Sequence, residues 1–195
     1  MEKFDIFTND EMDEILRMIS PGSPLRNGLD NVLMANTGGL IVVAENDQIF
    51  SLVDGGFELN ADYTPSSLYE LAKMDGAIVL DKNIEKILFA NTQLMPDPNI
   101  PTKETGTRHR TAERIARQTG SIVIAISQRR SIITIYRDRK KYVVQDTPTL
   151  FSKANQAFQT LEKAKASQEQ AVLNLNALEF ANMVTIYDVV FAMSK

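Results

Sequence analysis

With no cysteine among its 195 residues, the chain can form no disulfide, use no thiol nucleophile and offer no thiolate to a metal. A single histidine, His109, also excludes a multi-histidine zinc site. Both familiar glycine-rich phosphate cradles are missing: there is no GxxxxGK followed by Ser or Thr, and no GxGxxG. No Gly-x-Ser-x-Gly elbow presents a serine nucleophile. No apolar run reaches membrane-spanning length, and Met1-Glu2-Lys3-Phe4-Asp5 lacks the apolar core of a secretory leader. A cytoplasmic protein is the reading that follows. The net charge of -4 argues against a broad nucleic-acid surface, although a local basic cleft remains compatible with it.

What is present describes a soluble globular protein: 44% hydrophobic and 24% charged residues suffice for one core, with length left for an appendage. Asn9 or Asp10 can cap a first helix, with Met12, Ile15, Leu16 and Ile19 on one face. Ser23 caps a second, with Pro24 at its first position and Leu25, Leu29, Val32 and Leu33 inward. Leu40-Ile41-Val42-Val43-Ala44 predicts a strand buried on both faces. Residues 48–53 read as its hairpin partner, followed by a turn at Asp54-Gly55-Gly56 and a short extended piece at Phe57-Glu58-Leu59. Thr64-Pro65 opens a third helix, which stops at Asp75-Gly76. Residues 77–81 and 84–90 predict a strand and its antiparallel partner. Residues 91–104, with Pro96, Pro98 and Pro101, predict an irregular loop, and a loop of that length is more often functional than idle. A helix from about Thr107 to Gly120 follows, then strands at 121–126, 131–137 and 141–145. The order predicts an α/β domain over residues 1–146, a mixed sheet with helices on its faces. Beyond Thr147-Pro148 there is no proline or glycine up to Phe180, which predicts one long helix or two in line. Thr185-Ile186-Tyr187-Asp188 then resembles a capping box for a last helix. Residues 147–195 therefore read as a mostly helical segment, apparently truncated because the sequence stops inside that helix.

Four places carry groups suited to chemistry. The first is Thr107-Arg108-His109-Arg110-Thr111, at the start of a helix. Arginine forks, hydroxyls and the positive end of the helix dipole together suit a polyphosphate, and basic residues there oppose the dipole unless an anion is present. A solvated basic turn is the alternative. Asp75-Gly76-Ala77 comes second: a carboxylate beside a glycine at a strand boundary can hold Mg²⁺ or Mn²⁺ while the glycine admits a flat ligand. An Asp-Gly turn without a ligand is the alternative, and the one the tripeptide alone favours. Leu94, after Asn91, Thr92 and Gln93, is either ligand contact or core. Ser127 to Arg130 is either a ligand-binding turn after a buried strand or a solvated one.

The two signatures Asp75-Gly76-Ala77 and Gly106-Thr107-Arg108-His109-Arg110-Thr111, about thirty residues apart, resemble those of diadenylate cyclase domains. Longer stretches are similar to the bacterial DNA integrity scanning protein family: Ala35-Asn36-Thr37-Gly38-Gly39-Leu40-Ile41-Val42, Val53-Asp54-Gly55-Gly56-Phe57, Leu71-Ala72-Lys73-Met74-Asp75-Gly76-Ala77 and Ala90-Asn91-Thr92-Gln93-Leu94-Met95-Pro96. Similarity continues into the helical part at Lys153-Ala154-Asn155-Gln156-Ala157 and Asn176-Ala177-Leu178-Glu179-Phe180. The resemblance implies a mixed sheet flanked by helices and condensation of two ATP into cyclic di-AMP with release of two pyrophosphates. It implies Asp75 as metal ligand and as the group that helps deprotonate the attacking ribose hydroxyl. Gly76, Ala77 and Leu94 would line the nucleotide. Thr107, Arg108, His109, Arg110 and Thr111 would hold the phosphates, with Ser127 and Arg130 as helpers. Mg²⁺ or Mn²⁺ would be the cofactor, and a homodimer, with higher homo-oligomers possible, the catalytic unit. Full-length members continue into a DNA-binding helix-hairpin-helix domain, for which nothing after Phe180 has room, so no DNA binding is expected of this chain. A non-catalytic module that binds ATP or cyclic di-AMP is the alternative function, and an interaction protein acting through its long helix is a third.

Overall fold

The computed structural model describes residues 7–44 and 46–193, without the side chains of Asn9 and Thr147. The chain divides into two compact units that meet at Gln145 and Asp146.

The first unit opens with α1 (Asn9–Met18) and α2 (Pro24–Met34). Thr8, one residue before the expected cap, closes a capping box with Glu11 on α1, and Ser23 caps α2 with Pro24 behind it. β1 (Gly39–Val43) follows and is buried at every position. The hairpin expected at 48–53 does not form. Residues Asp47–Leu52 are a 3-10 helix capped by Asn46, whose Oδ1 accepts from the Gln48 amide and whose amide group donates to the Thr119 carbonyl at 2.7 Å. The apolar residues there fall as adjacent pairs rather than alternating, so a strand would turn one of each pair to the wrong face. Only Ile49 is buried in that turn, and both edges of β1 are taken by other strands.

β2 (Val53–Asp54) and β3 (Phe57–Asp62) run one after the other along the outer edge of β5 (Lys86–Leu94). α3 (Pro65–Leu71), capped by Thr64, ends several residues before Asp75-Gly76. β4 (Ala77–Leu80) then pairs parallel with β1 and antiparallel with β5. Residues Asn91 to Leu94, expected in the loop, continue β5, because β2 pairs with Gln93 and Leu94 from the far edge. α4 (Thr107–Thr119) closes at Gly120. β6 (Ile122–Ser127), β7 (Ile132–Arg137) and β8 (Lys140–Val144) complete an eight-stranded mixed sheet of order β2-β5-β4-β1-β6-β7-β8, with β3 also on β5.

Alternation along the strands divides the core in two. Ile41, Val43, Ile78, Leu80, Ile124 and Ile126 face α1, α2 and α3, where Ile15, Leu25, Leu29 and Leu68 cover them. Leu40, Val42, Ala77, Val79, Val123 and Ala125 face α4, meeting Ala112, Ile115 and Ala116. Helices therefore lie on both faces, as expected of an α/β mixed sheet.

The second unit is α5 (Thr147–Phe180), one unbroken helix capped by Asp146, and α6 (Ile186–Met193). Thr185 and Asp188 form the expected capping box at the start of α6. Ser194 and Lys195, on which the expectation of a helix cut short depends, lie outside the described residues. Ala171 is the only buried apolar residue among the described residues of this unit. No helix among the described residues is long and apolar enough to cross a membrane.

Candidate functional site

Four strand ends meet at one edge of the sheet. β1 and β4 begin there while β5 and β6 end there, as the pairs Ile41 with Ile78, Ala77 with Thr92, and Gly39 with Ile126 require. α4 packs beside them, and its first turn reaches this edge. Between these parts lies a cleft of about 410 Å³, within the usual range for a ligand site. Asp75, Gly76, Ala77, Leu94, Thr107, Arg108 and Thr111 all line it, and so do Leu40, Thr92, Gln93 and Met95.

The N-terminus of α4 differs from the other helix starts of this unit. α1, α2 and α3 have side-chain caps, whereas Gly106 offers none. The first backbone bond of the helix runs from the Arg110 amide to the Gly106 carbonyl at 2.9 Å. The amides of Thr107, Arg108 and His109 therefore keep no partner within the helix. No acidic residue stands in the first turn, so dipole and side chains are positive together. Such an end binds anions.

Across the cleft, the fully exposed Asp75 carboxylate lies 3.7 Å from the Arg108 guanidinium, which is about one-third exposed. An ion pair this open to water holds neither partner firmly, which leaves Arg108 able to turn to a ligand. The guanidinium rests on Gly38, where a Cβ would come within 2.1 Å of Nη1. Gly76 also has a use that its sequence context did not suggest. A Cβ there would stand 2.3 Å from the Asn91 carbonyl carbon and 2.6 Å from the Thr92 nitrogen, so the glycine lets the β5 backbone pass close behind it while Gly76 itself lines the cleft. Asn91 has φ 53°, and the β4–β5 register shifts beside it. Asp75 is the one carboxylate on the cleft wall, and no group of three or more His, Asp or Glu side chains suited to a metal occurs among the described residues.

The remaining predicted residues lie outside the cleft lining. Arg110 is exposed on the first turn of α4. Ser127 and Arg130 sit at the end of β6, where Ser127 Oγ accepts from the Arg130 amide at 3.3 Å. His109 turns inward: its Nδ1 is 3.1 Å from the hydroxyl of the buried Tyr136, with the two rings edge to face. Burial pushes the His109 imidazole below its usual range, and Lys141, Arg130 and Arg108 add to this while Glu104 opposes it. Burial pushes the Tyr136 hydroxyl well above its usual range, with the Glu104 carboxylate adding to the shift. Burial works to raise Glu104, but the hydrogen bond from Lys141, with the Tyr136 hydroxyl nearby adding to it, holds it below the usual carboxylate range.

The loop before α4 is tied to the body of that helix. Arg114 donates to the carbonyls of Ile100 and Pro98, Arg117 to that of Pro101, and the Asp97 amide to Gln118. Glu113, buried beneath the loop, accepts from the Thr102 hydroxyl at 2.6 Å, the Lys103 amide and Arg117. Sequence reasoning missed Gly38, Leu40, Met95, Glu104 and Tyr136. Gly38, Leu40 and Met95 lie within stretches quoted for the family resemblance but carry no chemistry of their own that marks them, and Glu104 and Tyr136 are recognisable only once the fold sets them near His109.

Known proteins extend these observations. The family described as DisA bacterial checkpoint controller nucleotide-binding matches residues 26–141, and the DisA bacterial checkpoint controller linker region matches residues 144–195. The DNA integrity scanning protein DisA of Clostridioides difficile is 64% identical over all 195 residues, and that of Acetivibrio thermocellus is 55% identical. In both cases the match spans 54% of the relative, so the chain covers about half the length of the curated relatives it matches. Among solved structures, a hypothetical membrane spanning protein from Bacillus cereus superposes with a TM-score of 0.59 at 23% identity, over 69% of this chain and 70% of that one. A double mutant of DacA from Staphylococcus aureus gives 0.53 at 19% identity, over 73% of this chain and 93% of that one. Those two likenesses concern the fold, whereas the match over residues 26–141 concerns descent: this chain belongs to the DisA bacterial checkpoint controller nucleotide-binding family.

Proposed function

We propose that the chain is a nucleotidyltransferase that condenses two ATP into cyclic di-AMP and two pyrophosphates, each site being made from halves supplied by two facing copies. The observation that carries this reading is the uncapped, arginine-bearing start of α4 set across a cleft from an exposed carboxylate. Donors for a triphosphate stand on one wall and a proton acceptor on the other. The adenosine lies along Gly76, Ala77 and Leu94. The phosphates meet the free amides of the first turn, the Thr107 and Thr111 hydroxyls and Arg108, with His109 and Arg110 from the same turn and Ser127 and Arg130 from the end of β6 as further contacts. The ribose 3′-oxygen attacks the α-phosphate of the other ATP in line. Asp75 takes the hydroxyl proton, and Arg108 with the helix N-terminus balances the charge gathering on the departing pyrophosphate.

A divalent metal fits Asp75 in one way. Mg²⁺ is commonly held by one or two carboxylates together with substrate phosphates, and a lone exposed carboxylate beside a phosphate site is that donor set. When bound, Mg²⁺ or Mn²⁺ would neutralise phosphate charge and make the attacking hydroxyl more acidic. Each ATP serves as nucleophile and as electrophile, so turnover requires two half-sites face to face, which a symmetric homodimer supplies and a higher homo-oligomer would repeat. We place the reaction in the cytoplasm with its ATP, and the net charge of -4 supports no broad nucleic-acid surface on these residues. The test is incubation with ATP and Mg²⁺ or Mn²⁺ followed by mass spectrometry for cyclic di-AMP. Bound ATP without product, in a sample shown to be dimeric, refutes the reaction. Specific activity unchanged on dilution far below the dimer dissociation constant refutes the shared site.

A further inference from the structure

The floor of the cleft carries one polar side chain that the proposed reaction does not use. Leu40, Ala77 and Leu94 make that floor apolar, and all three are buried on the α4 face of the sheet. Thr92 stands directly opposite Ala77 in the β4–β5 pair, and opposed residues of neighbouring strands turn their side chains to the same face. Its hydroxyl therefore stands among those apolar groups, and with 1% of its surface exposed Thr92 is the one buried polar side chain of the cleft lining. Buried hydroxyls normally use their hydrogen-bonding capacity. Here a single bond is made, from Thr92 Oγ1 to the Gln93 carbonyl at 3.2 Å. A carbonyl only accepts, so the Thr92 proton must point to it. At that length the bond is longer than a usual O–H···O contact. Among the described residues no donor reaches the Thr92 oxygen, so its lone pairs are left for whatever enters the cleft.

We infer that Thr92 determines which base the cleft takes, its Oγ1 accepting a hydrogen bond from the exocyclic 6-amino group of adenine. This rests on the proposed ATP site. With the triphosphate at the first turn of α4 and the ribose hydroxyl at Asp75, the apolar floor is left for the flat face of the base. The substituent at position 6 then decides. An amino group donates to the waiting lone pairs while Thr92 keeps its bond to Gln93. A 6-oxo group, as in hypoxanthine, has no proton to give, and the hydroxyl can meet it only by turning away from the Gln93 carbonyl. A purine with hydrogen at position 6 leaves the Thr92 oxygen unpaired and cut off from water, which costs binding energy. Adenine is therefore favoured over both.

Competition against a fluorescent ATP analogue, on the whole chain, gives the relative affinities of ATP, purine riboside triphosphate, inosine triphosphate and the 2′-deoxy and 3′-deoxy forms of ATP. The unaltered protein should prefer ATP to purine riboside triphosphate by roughly two- to ten-fold, the range of one neutral hydrogen bond. Inosine triphosphate should bind no better than purine riboside triphosphate. Equal affinity for ATP and purine riboside triphosphate overturns the inference whatever any variant does. Thr92→Val keeps the branched shape and removes the hydroxyl, so it should erase the preference by weakening ATP alone, and Thr92→Ser should restore it. A preference that persists in the folded valine variant overturns the inference. If the loss in Thr92→Val disappears with either deoxy form of ATP, the bond belongs to the ribose and the assignment to the base is overturned as well. Discrimination is a ratio among ligands that bind, so its failure leaves the cyclase reading standing. Bound ATP without cyclic di-AMP, in a dimeric sample that still discriminates, fails that reading and leaves this one intact.

Discussion

Two glycines on the cleft wall should respond in opposite ways to a single added methyl group. At Gly38 the Cβ of Gly38→Ala would meet the Arg108 guanidinium, with Nη1 at 2.1 Å, Cζ at 2.8 Å and Nη2 at 3.2 Å. All three atoms belong to the far end of a flexible side chain, and Gly38 is not among the glycines with positive φ. The backbone therefore accepts alanine, and the guanidinium retreats by more than an ångström. Folding stability should stay level or rise by up to ~1 kcal/mol, since alanine narrows the unfolded ensemble. The anion site, however, loses its arginine. Charge-assisted hydrogen bonds contribute roughly 1.5–3 kcal/mol each, so ATP affinity should fall roughly ten-fold to more than a hundred-fold.

At Gly76 the same change meets backbone that cannot step aside. The Asn91 carbonyl carbon, its Cα and the Thr92 nitrogen would lie 2.3, 2.4 and 2.6 Å from the new Cβ. Moving them breaks the pairing of Ala77 with Thr92. Gly76→Ala should cost about 1–3 kcal/mol or more as overpacking, lowering Tm by roughly 2–4 °C for each kcal/mol. Thermal unfolding and titration with a fluorescent ATP analogue, run on both variants, separate the cases. Wild-type nucleotide affinity in Gly38→Ala would refute the placement of Arg108 in the binding site. A Tm loss in Gly38→Ala as large as that in Gly76→Ala would refute the distinction between yielding side chain and fixed backbone.

Asp75→Asn should abolish cyclic di-AMP synthesis with stability within about 0.5 kcal/mol of wild type, because the side chain is fully exposed; product at the wild-type rate removes Asp75 from the chemistry. Glu113→Ala removes one partner of a buried ion pair at 2.6 Å and the acceptor for two loop donors, so about 3–5 kcal/mol should be lost in urea unfolding. Hydrogen exchange should rise first over residues 97–103, and unchanged protection there would show that the staple does not hold the loop. Glu11 is held down from 4.5 to about 2 by its hydrogen bond from Lys140 at 2.6 Å, then by those from Thr8. Its folded pKa lies below the unfolded one, so this contribution is fully present above about pH 4.5 and is lost as pH falls toward 2. Acid-unfolding curves of wild type and Glu11→Gln should therefore differ at pH 6 and converge near pH 2, and a constant offset across that range would contradict the linkage.

Where local chemistry decides an element, the sequence is readable. Ser23-Pro24, Thr64-Pro65 and Gly120 mark helix ends in their own neighbourhood, and the continuous β-branched run of β1 announces burial on both faces. The failed hairpin at 48–53 shows the limit. What decides that segment is that β4 and β6, which start 38 and 83 residues after the start of β1, already occupy both edges of β1. The site divides in the same manner. Asp75 and Arg108 stand out by residue type beside a strand start and a helix start. Gly38 and Tyr136 do not, because a glycine before a strand and a tyrosine among isoleucines gain meaning only from partners 70 and 27 residues away.

The long loop before α4 shows how the two kinds of information combine. Its length and prolines suggested an irregular, functional segment, and its carbonyls and amides are bound by Arg114, Arg117, Gln118 and Glu113 of the helix it precedes. The reason lies at its two ends. Leu94 closes β5 at the cleft and Thr107 opens α4 at the same cleft, so the chain must leave that edge and return to it with the helix pointing its amides inward. Length provides the excursion, and the charged flank of α4 makes the return rigid. A phosphate site built from backbone amides works only if those amides are held before the ligand arrives. The charges in the body of α4, Glu113, Arg114 and Arg117, are therefore what keep its first turn in place.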